Sequence, residues 1–122
     1  MKNHPATFIG AIDWNDVRAA QFAINSWANT ALPDRVPEAS LSKLVMEEVP
    51  ELLIHRKERG TVGIGQELVD CLILLLDLAV IWDVDVPNAL RAKMEINANR
   101  TWVLDEATGF YNHKESDNAV QD

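Results

Sequence analysis

Cysteine is almost missing from this chain of 122 residues: Cys71 stands alone, so no internal disulfide can staple the fold. Basic residues are scarce as well. Eleven Lys and Arg face nineteen Asp and Glu, a formal charge of −8, which argues against a protein that grips DNA or RNA by neutralising phosphates. A long apolar run is also lacking. The most apolar stretch, "CLILLLDLAVIW", is broken by Asp77 and falls short of the roughly 20 residues that cross a bilayer. The N-terminal "MKNHPATFIG" has no secretory pattern. No membrane partner and a cytoplasmic location are therefore expected.

What is present is the balance of a folded globular protein, 48% hydrophobic and 25% charged, in a length that suits one domain. A helix is expected from about Trp14 to Asn29, with Asp13 or Asn15 as its cap. "TALPDRVPEAS" then breaks the pattern with two prolines. A second helix should run from near Ser40 to Gly60, and the glycine-rich "GTVGIG" reads as the turn after it rather than as a phosphate loop. The third helix is expected over about Gln66 to Asp83 and the fourth, opened by Pro87, over Asn88 to Val103. Four helices and short turns predict an all-α four-helix bundle over residues 1–103, with 104–122 as a surface tail.

The chemistry lies in carboxylates that break the apolar pattern. At about 100° per residue, Leu41, Leu44, Glu48, Glu51, Leu52 and His55 share a band of the second helix roughly 100° wide. Glu48 thus sits among leucines, and an unpaired buried carboxylate costs several kcal/mol unless a cation or strong donors compensate it. Glu67 and Asp70 repeat the spacing of Glu48 and Glu51 on the third helix. A role at the helix N-terminus is the plain alternative for that second pair. Two such pairs on adjacent helices offer four oxygen donors, a set suited to Mg²⁺ or, in its place, Mn²⁺. Glu47, on the edge of the band, is a candidate for activating water or for simple solvation. A di-iron site is disfavoured because the required Glu-x-x-His pairs are absent; Glu51 and His55 are four apart. His55 otherwise belongs to the basic end "HRKER".

On the fourth helix Lys93, Asn97 and Arg100 form a stripe that can hold phosphate oxygens or simply face water. "EEVPE", then "ELVD", then "KMEINANRTW" closely resembles the all-α MazG-like nucleoside triphosphate pyrophosphohydrolases, from about Glu38 to Trp102. The resemblance implies hydrolysis of a nucleoside triphosphate between the α and β phosphates, to the monophosphate and pyrophosphate. It implies that Glu48, Glu51, Glu67 and Asp70 hold Mg²⁺, that Glu47 and Glu48 serve catalysis, and that Lys93, Asn97 and Arg100 bind the triphosphate. Trp27 is the candidate for stacking on the base, with a core position as its alternative. The family usually carries glycine where this chain has Pro50, which should distort the helix about one turn back, near Met46.

The third helix, apolar on nearly every side, calls for partners beyond its own chain, so a homodimer or a dimer of dimers is expected. Two other readings compete: an enzyme like the related phosphoribosyl-ATP pyrophosphatase, and a helical dimerisation or adaptor module that has kept the carboxylates without turnover.

Overall fold

The computed structural model describes residues 6–56 and 60–114. The chain falls into two compact units, Met1–Val86 and Pro87–Asp122.

The first unit is helical. A short α1, Ala6–Ala11, leads through a turn to α2, Val17–Ala31. The cap of α2 is Asp16 in place of the expected Asp13 or Asn15, and its carboxylate accepts the Arg18 and Ala19 amides. Asp13 instead accepts the Asn15 amide, closing the turn ahead of the cap. Pro37 opens α3, Pro37–Lys43, where its missing N–H costs nothing. The chain then widens into a π-helical segment, Leu44–Glu48, and returns to α geometry in α4, Val49–His55.

The cause of the widening is Pro50. It cannot donate to the carbonyl one turn back, and the amide of Val49 reaches instead to the Leu44 carbonyl, five residues behind. The distortion expected near Met46 thus takes the form of one wide turn around it. The second predicted helix accordingly becomes three segments, ending at His55 rather than Gly60.

Helix α5 spans Gly60–Ile81, so "GTVGIG" is helix and not turn. Glycine costs about 1 kcal/mol per helical position, too little to stop a helix of 22 residues whose remaining sequence is almost all aliphatic. Gly60 itself has φ +67, a conformation glycine adopts without strain, and it marks the chain reversal into α5. The core lies where α2 packs along α5. Ala20, Ala23 and Ala28 bring the two backbones close, against Leu76, Leu78 and Ala79.

Asp77 and Gln21 are buried there too, and both find partners. Asp77 is gripped by Arg35 through two hydrogen bonds of 2.6 and 2.8 Å and accepts a third from Asn25 at 3.0 Å. Gln21 donates to the Val84 carbonyl and accepts from the Val86 amide, tying α2 to the turn after α5. Asp83 in that turn has φ +58, where the sequence placed a reversal at "DVDVPN".

The second unit holds most of α6, Val86–Ala98, and an antiparallel hairpin of β1, Trp102–Asp105, with β2, Phe110–His113. One expectation is corrected by it: the fourth helix ends at Ala98 instead of Val103. Within the expected surface tail, residues 104–113 belong to this mostly exposed hairpin; its end, 115–122, lies outside the described residues. Gly109 at φ +77 and the side chains of Asp105 and Thr108 close the turn. Trp102 is half exposed; its indole donates to the Asn97 carbonyl and meets the His113 ring edge to face. Met94 on α6 is exposed at 55%.

Candidate active site

Glu47 and Glu48 occupy the wide turn, Glu51 the start of α4, and Glu67 and Asp70 the first half of α5. The π geometry gives neighbouring residues different fates. Glu47 is exposed and paired with Lys43 Nζ at 3.0 Å. Glu48 is half-buried, and its Oε2 is shut from solvent with no hydrogen-bond donor among the described residues.

The electrostatics follow from that placement. Burial raises the pKa of Glu48; the ammonium of Lys43 offsets part of the effect, and the charges of Glu51, Asp70 and Glu47 add to it. Burial likewise raises the Cys71 thiol, reinforced by Glu48 and Asp70, so this cysteine is protonated at neutral pH and not a nucleophile. Glu67 is the most buried of the expected ligands, and its Oε1 lies 3.4 Å from Nδ1 of His55.

The charges of Glu51 and Asp70 therefore reach Glu48. Among the described residues no three acidic, His or Cys side chains are grouped as a metal cage. The fit to a divalent cation rests instead on the donor chemistry, hard oxygens throughout, and on the unsatisfied oxygen of Glu48. A cation at that oxygen would supply the compensation that the protein does not.

Trp27 is half-buried and lines an apolar groove of about 470 Å³ with Trp14, Ile24, Leu72 and Ile73. The groove keeps both meanings of Trp27 together, since the indole packs on the core while the groove stays open. Trp14 was missed as a lining residue; it was read only as the start of the first helix, which in the structure begins at Val17. In the second unit Lys93 is exposed on α6, while Arg100 lies just past the helix and donates to Asn97 Oδ1 at 3.5 Å. Asn97 and Arg100 thus stay in contact although the helix stops short of Arg100.

No protein-family model matches the sequence. It is 40% identical over 86 residues to a dATP/dGTP diphosphohydrolase of cyanophage S-2L, covering 70% of this chain and 77% of that protein. It is 34% identical over 82 residues to a dATP/dGTP diphosphohydrolase of Salmonella phage PMBT28, covering 67% of this chain and 26% of that longer protein. Among solved structures, the cyanophage S-2L MazG-like pyrophosphohydrolase bound to dGDP and three catalytic Mn²⁺ ions per active site matches with a TM-score of 0.69 and 36% identity, over 84% of this chain and 95% of that one.

Helices carrying this carboxylate pattern, seen together with those relatives, define a class of enzyme: the hydrolases of phosphoric anhydrides in nucleotides. The chain belongs to the MazG-like pyrophosphohydrolase family. The adaptor reading does not survive that membership. Among the described residues no helix is long and apolar enough to cross a membrane.

Proposed function

We propose that the protein hydrolyses a purine deoxynucleoside triphosphate between its α and β phosphates, releasing the deoxynucleoside monophosphate and pyrophosphate, with Mg²⁺ as its working ion. The single observation that carries the metal dependence is the buried, unmatched oxygen of Glu48. The purine preference is supported by the names of both phage relatives and by the dGDP held in the solved neighbour. A phosphoribosyl-ATP substrate has no such support.

In this proposal Glu48, Glu51, Glu67 and Asp70 hold the metal, and Mn²⁺ can stand in for Mg²⁺, as the Mn²⁺ in the neighbour suggests. When bound, such ions neutralise phosphate charge and lower the pKa of water. The chain's own groups then divide the remaining work. Glu47 is exposed and is proposed to accept a proton from the attacking water, with Lys43 beside it limiting where its carboxylate points. Lys93, Asn97 and Arg100 are proposed to hold phosphate oxygens through charge-assisted hydrogen bonds, and the Arg100 to Asn97 contact fixes the guanidinium's direction. Trp27, on the open wall of the groove, offers an aromatic face to the base.

We also propose that the chain works as a homodimer or a dimer of dimers. Leu68, Val69, Leu72 and Leu75 leave about half of their surface exposed along α5, an apolar strip that a second copy would cover.

The test is pyrophosphate release from a panel of NTPs and dNTPs, with and without Mg²⁺, beside Glu48→Gln and Asp70→Asn. Release should require the metal, favour dATP and dGTP, and fall at least roughly 100-fold in each variant, the scale of losing one preorganised charge contact. Turnover near wild type in Asp70→Asn would remove that residue from the site.

A further inference from the structure

His55 lies on the last turn of α4, at the edge of the basic run, where solvation would be its ordinary fate. Its ring nevertheless faces inward. Nδ1 is 3.4 Å from Oε1 of Glu67, a side chain 8% exposed, while the imidazole itself is 32% exposed. The helix end needs nothing from His55, because the guanidinium of Arg56 donates to the Leu53 carbonyl and closes the last turn. The histidine is thus spent on a carboxylate of the neighbouring helix.

We infer that His55 is a positioning residue: its Nδ1–H holds Oε1 of Glu67 in one orientation, so that Glu67 meets a divalent cation with its carboxylate already set. The inference rests on the proposed metal site, to which it adds a residue outside the four carboxylates. A glutamate has three rotatable side-chain bonds, and freezing them on metal binding costs conformational entropy. A hydrogen bond made in advance removes part of that cost. Groups that orient metal ligands in this way are typically worth about 10–100-fold in affinity. In this inference His55 acts on the ligand and not on the ion, because the oxygen donors around it suit Mg²⁺ better than an imidazole nitrogen.

The experiment titrates the full chain, free of nucleotide, with Mn²⁺ followed by electron paramagnetic resonance. Wild type, His55→Ala, His55→Asn and Glu67→Gln are compared, and the folding of each metal-free protein is checked by circular dichroism. Asparagine carries an amide N–H close to where Nδ1 stands. The expected result is Mn²⁺ binding about 10–100-fold weaker in His55→Ala, largely restored in His55→Asn, and weakest in Glu67→Gln. Equal affinity in wild type and His55→Ala would overturn the inference and leave the metal site standing. Equal weakening in His55→Ala and His55→Asn would overturn it too, by assigning His55 to packing. A nitrogen coupling in the Mn²⁺ spin-echo spectrum that vanishes in His55→Ala would make His55 a ligand, again against the inference. Absence of Mn²⁺ binding by the wild type would take down the metal site itself, and this inference with it.

Discussion

Glu48 is the residue on which sequence and structure meet most directly. Its place among leucines at helical spacing signalled a buried charge, and the structure gives that charge an oxygen with no donor among the described residues. A pH dependence follows from the raised pKa. The fold favours the protonated form, so the stability it contributes is fully present below the ordinary glutamate value of 4.5 and is lost as pH rises through the raised value. Glu48→Gln should therefore melt higher than wild type at neutral pH without metal. With saturating Mg²⁺ the difference should shrink or reverse, because wild type gains about 2.7 kcal/mol at a hundredfold excess over Kd and the variant does not. A Glu48→Gln melting curve that follows wild type across pH would contradict this. Asp77 shows the limit of the sequence signal. It was read as a break in an apolar run, yet its partners Arg35 and Asn25 lie 42 and 52 residues away, and no spacing rule links them. Asp77→Ala should cost about 3–5 kcal/mol in urea unfolding by stranding Arg35, and the double change Asp77→Leu with Arg35→Met should recover most of it.

At the level of elements, what was legible depended on how strong the local signal was. The proline at position 50 forecast a disturbance one turn back, and the π segment Leu44–Glu48 is that disturbance. Pro50→Ala supplies the missing amide and is expected to let Leu44–Glu48 return to α geometry, turning Glu48 relative to Glu51. Metal-dependent turnover should fall while helicity stays the same or rises. A crystal structure of the variant that keeps the wide turn would show that packing, not the proline, sets it. The glycines of "GTVGIG" misled because their helix penalty is small against a long apolar continuation. The hairpin was hidden for the opposite reason. Strands of four residues each, mostly exposed, lack an alternation long enough to register, and their pairing is carried by Trp102 against His113 and by the turn at Gly109.

For the whole molecule, the family was readable because three motifs recur in order along the chain, which no single helix could reveal. Burial was harder to foresee. The apolar character of α5 was evident, and the single chain covers only part of it. Light scattering should find a dimer or larger species at micromolar concentration, and Leu72→Glu should reduce it to monomer; a monomeric wild type would exclude the proposed assembly. The central claim concerns which bond is broken, and isotope labelling reads that bond directly. Hydrolysis of dGTP in ¹⁸O-enriched water with Mg²⁺, followed by mass spectrometry, should give dGMP carrying one ¹⁸O and unlabelled pyrophosphate. Label in the pyrophosphate, or release of dGDP with orthophosphate, would contradict attack at the α phosphate and with it the function proposed for this chain.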